Sequence, residues 1–258
     1  MTGMDKAAGM LAAAERVVVF TGAGISAESG IPTFRDALTG LWARFDARQL
    51  ATPEAFRDDP DLVWGWYEWR RAAARRVEPN AGHRAVAAIE RCVVVTQNVD
   101  DLHERAGSRS TIHLHGSLFE PRCSACGLAA GDLPEHPKEA LGEGRRLPPP
   151  PCGRCGALVR PGVVWFGEAL PTHAFEEAVE AAANADVLLT VGTSGVVYPA
   201  AEIPQVTARL GGQVIQINPE PTPLDEVATV NLTGPAAEIL PALVNAAWPG
   251  RSGGSRLA

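Results

Sequence analysis

Residues 17–36 run Val17-Val18-Val19-Phe20-Thr21-Gly22-Ala23-Gly24-Ile25-Ser26-Ala27-Glu28-Ser29-Gly30-Ile31-Pro32-Thr33-Phe34-Arg35-Asp36. The apolar, mostly β-branched run at 17–20 predicts a strand buried on both faces. It stops at Gly22, Gly24 and Ala27, a G-x-G-x-x-A frame that turns a strand into a helix N-terminus. Glycines let the backbone turn tightly and approach a pyrophosphate, and the first helical N–H groups have no partner within the helix. The frame suggests a dinucleotide enzyme of the dehydrogenase kind. That kind needs an acidic residue at the end of a second strand about 20 residues further on. Here the corresponding region, residues 38–46, lies in a stretch with no convincing strand.

Further short apolar runs occur at 92–96, 187–191, 214–217 and 229–232. They alternate with helical patterns at 81–90, 174–184 and 199–210, which predicts a parallel α/β sheet. Two stretches break the rhythm. Residues 37–80 look helical, with Asp59 as N-cap, Pro60 at the first helical position and Asp61 in the first turn. Residues 117–165 hold four cysteines and a proline run. The expected organisation is a discontinuous Rossmann-type large domain (1–36, 81–116 and 166–248) and a smaller one. A helical module (37–80) and a zinc ribbon (117–165) make up the small domain, and residues 249–258 are a disordered tail.

The 258 residues are 46% apolar and 21% charged, as in ordinary globular proteins, with a formal charge of −7. That balance argues against a dedicated nucleic-acid binder, which needs a basic face. The first residues lack a signal-peptide pattern and no apolar run reaches membrane-spanning length, so a cytoplasmic protein is expected.

Cys123-x-x-Cys126 and Cys152-x-x-Cys155 are separated by 25 residues. Each pair can aim two thiolates at one ion, and four thiolates close a tetrahedral zinc site. Two disulfides or a redox C-x-x-C are the other readings, disfavoured in a reducing compartment. A closed site leaves no position for substrate, so this zinc is expected to be structural. Cys92, opening a core strand, is expected to be a buried inert thiol.

Further segments carry a family resemblance: Thr96-Gln97-Asn98-Val99-Asp100-Asp101-Leu102-His103, Leu114-His115-Gly116-Ser117, residues 160–168 (Arg-Pro-Gly-Val-Val-Trp-Phe-Gly-Glu) and Gly192-Thr193-Ser194. Together with the glycine-rich opening and the cysteine quartet, in that order, the chain resembles the sirtuins over roughly residues 10–240. The resemblance implies an NAD-dependent protein-lysine deacylase, with NAD and acyl-lysine meeting between the two domains and NAD consumed to nicotinamide and O-acyl-ADP-ribose.

The resemblance also implies roles. His115 is the catalytic base; spacing alone cannot separate it from His113, and the following Gly-Ser selects it. Asn98, the second expected catalytic residue, and Asp100 hold the nicotinamide ribose and carboxamide, with Gln97 against the ribose. Gly22, Ala23, Gly24, Phe34 and Arg35 form the phosphate site and its lid. Gly192, Thr193 and Ser194 hold phosphate and ribose, Asn218 and Glu220 bind near the adenine ribose, and Ala236 contacts adenine. Val163 to Gly167, including Val164, Trp165 and Phe166, is expected to be the edge strand that pairs with an acylated-lysine peptide. His103 is expected to be structural, and His83, His136 and His173 are given no role.

The helix from Pro60 is expected to bury a stripe of Val63, Trp66, Trp69 and Ala73. Tyr67 and Arg70, three apart, share a face. In sirtuins that remove acidic acyl groups, a Tyr-x-x-Arg pair on this helix lies at the acyl pocket, and Ala27 is typical of the same subgroup. A guanidinium binds a carboxylate in a fork and the phenol adds a donor, so succinyl or malonyl lysine is the expected substrate. Arg70 could instead be one of four arginines (with Arg71, Arg75 and Arg76) on a solvated helix end, leaving a general deacetylase.

Overall fold

A computed structural model describes residues 2–31, 46–131 and 144–250. Among them the strands are β1 (Val17–Thr21), β2 (Cys92–Thr96), β3 (Thr111–His113), β4 (Arg122–Cys123), β5 (Val159–Arg160), β6 (Val187–Val191), β7 (Gln213–Asn218) and β8 (Val230–Thr233). Six form one parallel sheet in the order β3-β2-β1-β6-β7-β8, and β4 and β5 form a separate antiparallel pair. Leaving the small pair aside, this is the Rossmann order 3-2-1-4-5-6. All five strands expected for this sheet are present. β3 is the addition, a three-residue strand too short to carry a pattern of its own.

The sheet follows from side-chain alternation. Every residue of β1 and β6 is buried. Val17, Val19, Leu189, Val191 and Ile215 face one layer, with the helices Gly3–Ala13, Ala81–Ala87 and Ala236–Ala247. Val18, Phe20, Val95, Leu188 and Val214 face the other, with Thr172–Ala183 and Ile203–Arg209. A parallel sheet covered on both faces needs such continuous apolar runs, because each residue meets a core whichever way it points.

The excursion before β2 is helical where described: Ala47–Leu50, Pro53–Asp58 and Pro60–Arg76. Asp59 caps the long helix by accepting from the Leu62 N–H at 3.1 Å, with Pro60 next in line. The expected stripe on this helix is corrected. Val63 and Trp66 are buried, but Trp69 and Ala73 are only half-buried, whereas Trp64, Tyr67, Arg71 and Ala74 are buried. The cause is that the helix is covered from two sides. Trp64 packs with Leu147 and Val159 from the cysteine-bearing segment, and the Leu147 N–H donates to the Asp61 carbonyl at 3.0 Å. Val63, Trp66 and Tyr67 pack with Leu118, Val163 and Trp165. No helix among the described residues is long and apolar enough to cross a membrane. Of the expected tail 249–258, residues 251–258 lie outside the described residues.

Candidate active site

The sheet's chain path reverses between β1 and β6, where a parallel α/β sheet opens a crevice at the carboxyl ends of its strands. Gly22 and Gly24 leave β1 there, and Gly192 leaves β6. The Gly22 N–H donates to the Val191 carbonyl at 3.0 Å and the Gly24 N–H to that of Gly192 at 2.9 Å. The loops touch so closely that a methyl group on Gly24 would lie 2.6 Å from the Gly192 Cα. Gly192 itself is left-handed, at φ 60°, a conformation favouring glycine. Gln97, Asn98 and Asp100 leave β2 beside them, and Asn218 and Glu220 leave β7. Gln97 spans the reversal, its Nε2 donating to Thr193 Oγ1 at 3.0 Å. Ala236 is buried at the start of its helix, where Glu28 accepts from the Ala237 N–H at 2.8 Å. Phe34 and Arg35 lie outside the described residues, as does His136.

Ser26 is the hub of a buried polar cluster. Its hydroxyl accepts from Asn98 Nδ2 at 3.1 Å and donates to Asp100 Oδ2 at 3.1 Å. His83 Nε2 lies 3.4 Å from it, while His83 Nδ1 accepts from the Asn80 N–H at 3.3 Å, so the proton belongs on Nε2. Burial pushes the His83 pKa down to about 3, with His103, 5.0 Å away ring to ring, and Arg84 adding to it. His103 is pushed down to about 4, also by burial. Its Nε2 meets Thr21 Oγ1 at 3.1 Å, and Thr21 donates to Thr96 at 2.8 Å. Burial raises the Asp100 pKa against the opposing pull of the Leu102 N–H and Ser26.

Ser26, His83, Thr21 and Thr96 belong to this cluster but are absent from the sequence-based candidates. Two signals were there to use. Thr21 and Thr96 end two apolar runs at paired positions of β1 and β2. Asn80 and His83 stand at N-cap and N3 of a helix, the spacing of a capping box.

His113 and His115 are two apart but differ in function of their nitrogens. His113 has both engaged: Nδ1 faces the Asn98 carbonyl at 3.1 Å and Nε2 the Glu104 carboxylate at 2.8 Å. His115 Nδ1 faces the Gln97 carbonyl at 2.9 Å. A carbonyl only accepts, so Nδ1 carries the proton and Nε2 is left with its lone pair. Burial lowers the His115 pKa, partly offset by that carbonyl, which keeps the ring neutral near pH 7.

The expected edge strand at 163–167 is corrected. Val163 forms an antiparallel bridge with Gly116, but the segment joins no strand. The N–H groups of Val164, Trp165 and Phe166 donate inward, to the His115 carbonyl, Glu168 Oε2 and the Ala51 carbonyl. These three N–H groups are therefore already engaged within the chain. The physical reason is a turn closed by Arg160, which forks onto Glu168 at 2.6 and 2.8 Å. Trp165 is buried by that turn, leaving Phe166 exposed and Gly167 left-handed at φ 87°.

Tyr67 and Arg70 do stand together, the Arg70 Cζ 5.5 Å from the Tyr67 ring centre and 5.0 Å from that of Trp66. Tyr67 is fully buried and its pKa is pushed up to about 12 by burial, so it is a phenol at neutral pH. Arg70 is half-buried and Arg71 buried beside Glu68; only Arg75 and Arg76 are on the solvated helix end.

The four cysteines converge. Their sulfur atoms lie within 4.8 Å of one another, with Cys123–Cys155 at 3.4 Å and Cys126–Cys152 at 3.9 Å. Zinc–sulfur bonds of ~2.3 Å arranged as a tetrahedron put sulfurs about 3.8 Å apart, whereas a disulfide requires about 2.05 Å. All five cysteines are free thiols, which removes the disulfide reading. The two knuckles share one construction. The Cys123 and Cys152 amides donate to the carbonyls of Leu128 and Ala157, and left-handed Gly127 and Gly156 return to the cysteine carbonyls. Such a closed thiolate cage fits structural zinc. Cys92 is a half-buried thiol whose pKa burial raises to about 12, as expected of an inert one.

The sequence model of the Sir2 family matches residues 22–199, the stretch that carries both glycine loops, the histidines and the cysteine quartet. The chain belongs to the Sir2 family. This Sir2-family chain is 58% identical over 246 residues to NAD-dependent protein deacylase 1 of Pseudomonas aeruginosa, covering 93% of this chain and 98% of that one. It is 54% identical to an NAD-dependent protein deacylase of Methylococcus capsulatus, covering 94% and 96%. Among solved structures, a Sir2 homologue in complex with NAD superposes with a TM-score of 0.86 at 46% identity, covering 93% and 92%. A Sir2 complex with a p53 peptide and NAD does so with 0.77 at 32% identity, covering 93% and 96%.

Proposed function

We propose that this Sir2-family chain is an NAD-dependent protein-lysine deacylase that prefers acidic acyl groups, succinyl or malonyl. The observation that carries the activity is His115, neutral, with Nδ1 bound to the carbonyl of Gln97, the residue next to Asn98 of the Ser26–Asn98–Asp100 cluster, and Nε2 left basic. NAD enters as a substrate and supplies an electrophilic ribose carbon once nicotinamide leaves. The Gly22–Gly24 and Gly192–Ser194 loops would hold its phosphates and Asn218 and Glu220 its adenosine end. Asn98 and Asp100 would hold its nicotinamide end. The acyl oxygen would bond to that ribose carbon as nicotinamide leaves. His115 Nε2 would take the proton of a ribose hydroxyl so that its oxygen attacks the acyl carbon, and with one water the acyl–nitrogen bond would break to give lysine and O-acyl-ADP-ribose. Residues 37–80 and 117–165 would form the small domain that closes this cleft against the sheet, with the zinc site fixing the ribbon.

The acidic preference rests on Tyr67 and Arg70. A half-buried guanidinium beside a neutral phenol can fork onto a carboxylate, an interaction that a neutral acyl chain does not offer. Matched succinyl-, malonyl- and acetyl-lysine peptides test both levels. Nicotinamide release with unchanged absorbance at 340 nm supports deacylation over hydride transfer, and His115→Ala should lower it by about 10²–10⁴-fold. Faster turnover of acetyl than of both acidic peptides would replace the acidic reading with a general deacetylase.

A further inference from the structure

We propose that Trp165 is a positioning residue for acyl selection: its indole N–H occupies an acceptor site of the Tyr67 hydroxyl and so directs the Tyr67 proton toward the acyl acid held by Arg70. The inference rests on the acidic-acyl reading above.

The geometry is specific. Trp165 Nε1 lies 3.0 Å from Tyr67 Oη, and both side chains are buried. An indole N–H can only donate, so at this contact Tyr67 must accept. Arg70, with its Cζ 5.5 Å from the Tyr67 ring centre, is also a donor without acceptor capacity. A hydroxyl between two obligate donors keeps its own proton for a third group, and that group must be an acceptor. A carboxylate is an acceptor that can take this proton and N–H donors of Arg70 together. Without the indole, the hydroxyl could turn and present its lone pairs instead, the wrong polarity for an anion.

The indole is itself held. The Arg160 guanidinium carbon stacks 3.6 Å from the Trp165 ring centre. Arg160 is fixed by Glu168, and Glu168 also accepts from the Trp165 backbone N–H at 2.8 Å. Phe56 packs at 5.4 Å, centre to centre. The ring therefore cannot rotate away without breaking the Arg160–Glu168 turn.

The test is Trp165→Phe, which keeps an aromatic ring against Arg160 and removes the N–H. The readout is the ratio of kcat/KM for succinyl- and acetyl-lysine peptides in the zinc-loaded full chain, with a thermal melt to establish that the variant folds. The expected result is an approximately tenfold fall in the ratio, carried by KM for the succinyl peptide, as for loss of one directed hydrogen bond to a charged group. Tyr67→Phe and Arg70→Met are measured beside it. If neither changes the ratio, the acidic-acyl reading itself fails. If they lower it and Trp165→Phe lowers both substrates equally, or neither, Trp165 is only a packing residue and the inference is overturned. The Tyr67→Phe/Trp165→Phe pair adds an independent check. The double variant should have the ratio of Tyr67→Phe alone, because an indole with no hydroxyl to orient has nothing to contribute; losses that multiply would also overturn it. Should Trp165→Phe not fold, Arg160→Gln, which loosens the indole from the stacking side, must lower the same ratio for the inference to stand.

Discussion

Glu104 Oε1 lies 2.8 Å from His113 Nε2, and the opposite nitrogen of the same ring faces the Asn98 carbonyl at 3.1 Å. Both partners are acceptors, so the ring fits best as an imidazolium that ties the turn after β2 to the Leu102–Ala106 helix. Burial works against the charged ring, but the Glu104 hydrogen bond and charge outweigh it and raise the His113 pKa. A histidine with a raised folded pKa stabilises the fold fully below its unfolded value of about 6.5, and that contribution disappears as pH rises through the folded value. Glu104→Gln should therefore lose stability at pH 6 and lose almost none at pH 9. The difference should stay near or below ~1 kcal/mol, because Glu104 is 41% exposed and screened. Urea unfolding at the two pH values measures it; a deficit that grew with pH would contradict the pairing.

His83 and His103 behave in the opposite sense. Their folded pKa values, about 3 and about 4, lie below the unfolded value. Below pH 6.5 the unfolded chain takes up protons that the folded chain refuses, so stability falls on acidification, from about pH 6.5 down toward the folded values. Each histidine contributes a slope of up to about 1.4 kcal/mol per pH unit in that window. His103→Gln should flatten the acid side of the stability curve, by chemical denaturation between pH 7 and 5. An unchanged slope would show that another group carries the acid sensitivity.

The cysteine cage predicts one zinc per chain, retained through dialysis at neutral pH. Cys126→Ser should lose the metal and lower the melting temperature sharply, because binding free energy on the order of 10 kcal/mol is then unavailable to the ribbon. Metal analysis and a thermal melt report the two effects. Activity lost without any change in metal content or melting would argue for a catalytic thiol.

Gly192→Ala tests the crevice. A methyl group there would sit 2.5 Å from the Ile25 nitrogen, and φ is 60°. Strain and overpacking together should destabilise the fold by about 1–3 kcal/mol. NAD titration should weaken as the loops separate, and normal affinity in a destabilised variant would place NAD elsewhere.

The sheet was legible in the sequence because buried parallel strands need unbroken apolar runs, and 17–20 and 187–191 are such runs. The zinc cage was legible because ligand spacing is a local property. What was hidden depends on tertiary placement. Val163 to Gly167 has the composition of an edge strand, yet Arg160 and Glu168, eight residues apart, fold it into a turn. Trp69 and Ala73 fit a helical stripe, but the helix from Pro60 is covered from two directions, so one stripe cannot describe it. His113 and His115 were inseparable by spacing, since only the distant carbonyls of Asn98 and Gln97 and the carboxylate of Glu104 distinguish them. Ser26 escaped because a serine in a glycine-rich turn looks like ordinary turn chemistry.

Thr21 pairs in register with Val191, so the crevice joins chain positions roughly 170 residues apart. On a ribosome adding ~5–20 residues per second, β1 waits about 10–30 s before β6 exists to cover its second edge. During that interval an apolar strand paired on at most one side is open to other chains. The nascent protein therefore acquires its nucleotide crevice late, and any agent that shields β1 should raise the yield of folded enzyme more than one acting on the finished chain.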